Sequence, residues 1–351
     1  MATKVDFFDT LPDGQSVDAI TLLNRNGTQV VLLSLGATLQ AFRFADKDIV
    51  LGFDAAAHYL NSGAYIGATV GRVCNRTADG CFMLNGNTYT LVCNEPDRRV
   101  HLHGGSVGFD KKIWSYKMVD NDQEPGVVFT AQSSDGEEGY PGNLQMSVAY
   151  TLTADDALRI EYCVHTDADT PINLTNHAYF NLNGCDGDTV HNTLLQIHAE
   201  EFTPVNERLI PTGDFATVEN TALDFRRGKP IGDALNNEDD TMRYTGGVDH
   251  NFVLNRTRST MQEAAMAYSP ETGIRLRCYT DLPGLQVYTG NFLDEPGGKY
   301  GLVWGKHQGF CLETQYFANS VNEPNFPSII VKAGDCYRAS TIYQLTLEGE
   351  E

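Results

Sequence analysis

The chain has 351 residues and a formal net charge of −21 at neutral pH, with a pI of about 4.7. So acidic a protein repels nucleic acid and anionic membranes and releases no counterions on meeting them, so neither is expected as a partner. Its 41% hydrophobic and 20% charged residues exclude a disordered chain and suffice for a large buried core.

Residues 1–25 contain Lys4, Asp6 and Asp9 and lack the ~7 to 15 residue apolar run of a secretory signal, so a cytoplasmic protein is expected. No segment approaches the ~20 consecutive apolar residues of a membrane helix. Eight cysteines (Cys74, Cys81, Cys93, Cys163, Cys185, Cys278, Cys311 and Cys336) include no CxxC pair. They read as reduced, small core residues rather than disulfides or a zinc site.

From the N-terminus onward, short alternating runs between turn residues dominate. Residues 29–35 follow an Asn26-Gly27 turn, and 80–84 and 88–91 flank Asn85-Gly86, a dipeptide suited to a type I′ hairpin. Further strands are expected at 127–132, 144–152, 158–165, 172–182, 193–199, 273–279, 285–292, 310–317 and 337–347. Helices are expected only at 55–61 and 231–235. Without long helical patterns to carry parallel crossovers, the sheets should be antiparallel. The expected fold is all-β, a large antiparallel β-sandwich with few short helices. With no repeat and no linker, residues 1–351 read as one domain. Acidic runs at 120–124, 135–138 and 238–240 read as solvated loops.

Alternation in 172–182 puts Ile172, Leu174, Ala178, Phe180 and Leu182 on one face and Asn173, Thr175, His177, Tyr179 and Asn181 on the other. The polar face is either the solvent side of an edge strand or the wall of a groove for a polyhydroxylated ligand. His101 and His103, followed by Gly104-Gly105, would point the same way in extended chain. A metal-binding barrel would add a carboxylate soon after, but the next acid is Asp110. The pair therefore reads as one functional and one structural histidine with no metal, and the glycines as room for a ligand at the backbone.

In 310–317, Cys311, Glu313, Gln315 and Phe317 share a face, which embeds Glu313 in an apolar run. Such a carboxylate is either paired structurally or held in a pocket as a general base. Asp249 beside His250, and Gln286 between Leu285 and Val287, are similar polar insertions. Arg98-Arg99 and Arg226-Arg227 read as surface charge, and Trp114 and Trp304 as core. No Gly-rich phosphate loop follows a strand and opens a helix, so nucleotide cofactors find no support, and there is likewise no GxSxG elbow.

Taken in order, residues 71–76, 102–105 with 108–111, 138–144, 173–182, 248–252, 283–292 and 311–315 leading to Asn325-Phe326-Pro327 resemble the galactose mutarotase (aldose 1-epimerase) family. The resemblance implies an antiparallel sandwich with an open sugar cleft, and cofactor-independent interconversion of the α and β anomers of free aldohexoses such as galactose and glucose. It implies that His177 protonates the ring oxygen and Glu313 takes the proton of the C1 hydroxyl. His103 would bond near the reacting end, with Asn75, Arg76, Asp249 and Gln286 holding hydroxyls. Val100-His101 stands where the family often has Asn and His, and Ala318-Asn319 where it usually has Pro and Asp. These departures leave the catalytic set intact and touch the substrate edge. The partner would be a small sugar, and the enzyme a monomer or homodimer. Other readings are a glycosidase using Asp249 and Glu313, a noncatalytic sugar-binding module, and a hexose 6-phosphate epimerase, which needs a basic cluster near C6.

Overall fold

The computed structural model describes residues 3–349 except 120, 122–123, 237–238 and 256–259. Alternation builds its largest sheet. In Leu144–Leu152 the buried residues are Leu144, Met146, Val148, Tyr150 and Leu152. In Ala157–Thr166 Leu158, Ile160, Tyr162 and Val164 point inward while Arg159, Glu161, Cys163 and His165 point outward. Among the described residues this sheet has nine antiparallel strands, in the order Ser115–Val119, Gly126–Ser133, Leu144–Leu152, Ala157–Thr166, Cys336–Leu347, Ile274–Thr280, Gln262–Tyr268, Leu194–Ile197 and Lys229–Pro230.

A six-stranded antiparallel sheet faces it, ordered Tyr179–Phe180, Phe310–Gln315, Gly284–Tyr288, Asp249–Val253, Glu201–Phe202 and Ala216–Thr217. Its Leu285, Val287, Phe310 and Leu312 join Val148, Ile160, Leu276 and Tyr343 of the larger sheet in one apolar core. This is the expected sandwich. Ile20, Leu32 and Phe42 of a third, N-terminal sheet extend the same core. Helices form at Ala56–Asn61 and Ile231–Leu235, as expected. Asn85 and Gly86 both take positive φ, 51° and 81°, between the paired strands Cys81–Leu84 and Asn87–Thr90, as the type I′ turn requires. Trp114 and Trp304 are buried, and none of the described helices is long and apolar enough to cross a membrane.

Residues 172–182 depart from the expectation. They are buried throughout and form two short pieces: Thr175–Asn176 pairs with Thr69–Val70, and Tyr179–Phe180 with Phe310 and Cys311. The amides explain why. Asn173 Nδ2 donates to the Tyr316 carbonyl at 3.0 Å, Asn176 Nδ2 to that of Gly67 at 2.9 Å, and Asn181 Nδ2 to those of Asp188 and Gln308 at 2.8 and 2.9 Å. These side chains replace ladder bonds inside the protein, so the polar face is neither a solvent edge nor a continuous groove wall.

The cysteines are all unpaired, but only Cys74, Cys185, Cys278 and Cys311 are buried, which corrects the reading of all eight as core. The run at 135–138 is more than a solvated loop. Asp135 accepts from the Gly142 N–H at 2.6 Å, Glu137 pairs with Lys112, and Glu138 accepts from the N–H groups of Ser106 and Val107 at 3.1 and 3.0 Å. Asp239 likewise caps Thr241 and Ala222, while 120, 122–123 and 238 lie outside the described residues.

Candidate active site

The face of the six-stranded sheet turned away from the shared core carries two rows of polar side chains. Register sets Gln286 between Asn251 and Glu313, and in the next row Tyr288 between Asp249 and Cys311, with Tyr179 beyond Cys311. Period-two alternation places both rows on the same side. Loops complete the site with Tyr65, Asn75 and His103, all in left-handed backbone with φ of 54°, 60° and 51°.

The loop after His103 needs Gly104 (φ 90°): a Cβ there would lie 1.8 Å from the Gly71 carbonyl oxygen. A Cβ on Gly105 would meet the Glu138 carboxylate at 2.1 Å. The glycine pair makes room for the protein itself, not for a ligand as the sequence suggested.

The resulting cleft, about 380 Å³, is lined by His103, His177, Glu313, Asn75, Arg76 and Asp249, together with Tyr65, Tyr179, Tyr288, Phe292, Glu95, Arg98 and Glu295. Its size lies near the lower end for ligand clefts, which suits a monosaccharide. His177 Nε2 stands 3.6 Å from Glu313 Oε1, and Cys311 Sγ 3.6 Å from His177 Nδ1. Glu313 Oε2 is buried without a protein partner. His103 Nδ1 accepts the Asn75 N–H at 3.1 Å, so a neutral imidazole carries its proton on Nε2. The His103 and His177 rings are 5.1 Å apart, with Tyr65 4.6 Å from His103 and Tyr179 5.1 Å from His177.

Arg76 Nε donates to Glu95 at 2.9 Å, and its Nη1 lies 3.7 Å from Asp249 Oδ2. Gln286 Nε2 donates to Asp249 Oδ1 at 2.6 Å, and Gln286 shares the cleft-facing row with Glu313. Arg98 pairs with Glu95 and belongs to the cleft wall; only Arg99 of that pair is the expected surface charge. His101 turns away, with Nδ1 2.7 Å from the Val92 carbonyl and its ring against Tyr140, and so is the structural member of the HxH pair.

Burial dominates the electrostatics. It pushes the Glu313 carboxyl well above its usual range, Asp249 adding in the same direction and Arg76 opposing. It brings the His177 imidazole down to about 4, and holds His103 well below 6.5 with help from His177 and Arg76. Asp249 is raised by burial against the pull of Arg76 and Gln286. The cleft therefore has a neutral imidazole beside a carboxyl that resists ionisation. His103, His177 and Glu313 also bring possible metal-ligand atoms within 4.8 Å of one another.

A sequence model described as aldose 1-epimerase matches residues 18–344. The chain is 41% identical to galactose mutarotase of Sus scrofa over 340 residues, 95% of this chain and 96% of that relative. The chain belongs to the aldose 1-epimerase family. It is also 36% identical to aldose 1-epimerase of Escherichia coli (strain K12), over 96% of this chain and 97% of the relative. Two solved structures superpose closely. Galactose 1-epimerase from Lactobacillus acidophilus NCFM matches with TM-score 0.86 and 29% identity over 99% of each chain. An aldose epimerase homologue from C. elegans matches with TM-score 0.85 and 30% identity over 94% of this chain and 98% of that one. The protein is thus an isomerase with aldose 1-epimerase function on the family's sandwich fold.

Sequence reasoning missed Tyr65, Glu95, Arg98, Tyr288, Phe292 and Glu295. Tyr288 could have been found, since it follows Gln286 by two residues and so shares its face. Tyr65 and Glu95 sit outside regular strands, where no period marks them.

Proposed function

We propose that this aldose 1-epimerase interconverts the anomers of free neutral aldohexoses such as galactose and glucose, with Glu313 as base and His177 as acid. The supporting observation is the 3.6 Å approach of His177 Nε2 to Glu313 Oε1 in a sugar-sized cleft. The hydroxyl and the ring oxygen both sit on C1, so a hexose bound with C1 at this pair offers one oxygen to each group. Glu313 takes the hydroxyl proton, the O–H electrons form the C1 carbonyl, the bond from C1 to the ring oxygen breaks, and His177 gives that oxygen a proton. Rotation about C1–C2 presents the other carbonyl face, and the reverse transfers close the opposite anomer. His103 donates from Nε2 near C1, while Asn75, Arg76, Asp249 and Gln286 hold hydroxyls, Gln286 also bonding Asp249. The names of the relatives, galactose mutarotase among them, support galactose as a substrate.

The protein acts as one domain, supported by a core that draws on residues from Ile20 to Leu345. It works as a monomer or homodimer in the cytoplasm, in keeping with eight unpaired thiols, and its charge of −21 disfavours nucleic acid and membranes as partners.

Polarimetry on freshly dissolved α-D-galactose tests the roles. Each positioned acid or base contributes ~10² to 10⁴-fold, so Glu313→Gln and His177→Asn should each lose at least ~100-fold in rate, and His103→Asn should be strongly impaired, with melting temperatures near wild type. A folded Glu313→Gln protein with near wild-type rate overturns the assignment of the base. Proton transfers alone suffice, so protein stripped with a chelator should keep its rate, and a loss restored by Zn²⁺ would instead place a metal on His103, His177 and Glu313. An aryl galactoside should release no sugar; release would favour a glycosidase.

A further inference from the structure

Three more ligating side chains meet on the nine-stranded sheet, on its face away from the core, and the epimerase chemistry uses none of them. Alternation in Ala157–Thr166 turns Cys163 and His165 outward, and register sets His165 opposite Cys336 on the neighbouring strand Cys336–Leu347. Cys163 Sγ lies 3.1 Å from Cys336 Sγ and 3.7 Å from His165 Nε2, and ligand atoms of all three fall within 4.8 Å of one another. Cys163 and Cys336 are half-buried and His165 is exposed, beside a depression bordered by Lys112, Gln145 and Ser147, so an ion can reach them.

We propose that Cys163, His165 and Cys336 form a surface site for one zinc-class divalent ion, held by two thiolates and one imidazole. The donors are of the soft and borderline kind that Zn²⁺ prefers. Tetrahedral Zn²⁺ with Zn–S near ~2.3 Å and Zn–N near ~2.0 Å sets its ligand atoms roughly 3.3–3.8 Å apart, so small side-chain rotations bring these three into place. The two strands are ladder neighbours, with Cys163 and His165 bonded on both edges and Cys336 paired with His165, so binding orders no loop. Binding releases one proton from each thiol, and water fills the fourth position.

The test uses the full chain, stripped of metal by a chelator and kept reduced with a phosphine. Titrated Co²⁺ should give a thiolate-to-cobalt charge-transfer band that saturates at one equivalent and is displaced by Zn²⁺. Cys163→Ser and Cys336→Ser should abolish the band, and His165→Ala should weaken Zn²⁺ binding at least tenfold in competition with a chromogenic chelator. Cys311→Ser should leave the band intact, which separates this site from the cleft, and Cys163→Ser should keep the wild-type polarimetric rate. In the wild-type protein, Zn²⁺ should slow alkylation of Cys163 and Cys336 at least tenfold, read by peptide mass spectrometry, which needs no variant. Absence of the band, its survival in Cys163→Ser, or indifference to His165→Ala overturns the proposal. So does a reduced protein that binds no metal while mild oxidation joins Cys163 to Cys336, which would make the pair a redox couple.

Discussion

In the proposed mechanism Glu313 and His177, whose nearest atoms stand 3.6 Å apart, act as a pair that holds one proton between them. Burial favours the arrangement in which the carboxyl holds that proton and the imidazole is neutral, whereas the reaction needs carboxylate and imidazolium, which differ only by moving the proton. The singly protonated pair is therefore the working state. Below a pH near 4, His177 takes a second proton and Glu313 stays protonated, so no base remains. At alkaline pH, above the raised Glu313 value, the shared proton leaves and no acid remains. The polarimetric rate should thus be bell-shaped around a top that includes neutral pH, its limbs belonging to the pair and not to either residue. A kcat/KM that rises without turning to high pH would refute a shared proton. Glu313 was legible because an acid inside an apolar strand has few reasons to be there. The polar face of 172–182 marked His177 as a groove candidate, but its role as the acid came only with the family resemblance, because Asn173 and Asn181, its partners on the same apparent face, bond backbone carbonyls instead.

The strands supply position and the loops supply approach. Polar insertions at Asp249, Gln286 and Glu313 fall on one face because their three strands are neighbours in register, a relation of topology that no single run of sequence displays. The His103 loop is where the approach is tightest. Gly104 and Gly14 have nearly the same φ, 90° and 89°, but a Cβ at Gly14 meets nothing within 4 Å while one at Gly104 meets the Gly71 carbonyl. Both alanine variants carry the backbone strain of positive φ, about 1–3 kcal/mol. Only Gly104→Ala also displaces the loop that holds His103. Gly104→Ala should therefore melt clearly below Gly14→Ala and lose more than tenfold in polarimetric rate, while Gly14→Ala keeps the wild-type rate. Equal rates in the two would mean that the loop yields without moving His103.

At the scale of the whole molecule, alternation made the sandwich legible wherever one face is core and the other is not, as in Leu144–Leu152. In the N-terminal sheet it reached Gln29–Leu33, expected at 29–35, but failed at two other strands for opposite reasons. Lys4–Thr10 is an edge whose Phe7 is 67% exposed, and Thr38–Phe44 is buried on both faces, so neither alternates. The same scale decides the choice of sugar. A net charge of −21 opposes a phosphorylated hexose everywhere, and only a local cationic cluster could reverse that. The cations lining the cleft, among the described residues, are Arg76 and Arg98, and both already face carboxylates: Arg76 pairs with Glu95 and Asp249, and Arg98 with Glu95. Glu295 adds a further acid to the same wall, so no guanidinium is left over for a phosphate. The rate on glucose should therefore exceed that on glucose 6-phosphate at least tenfold, and added salt, by screening the repulsion, should narrow the gap. A preference for the phosphate would mean that substrate breaks the Arg98–Glu95 pair to free a cation, and Arg98→Ala would then abolish that preference while sparing the rate on glucose.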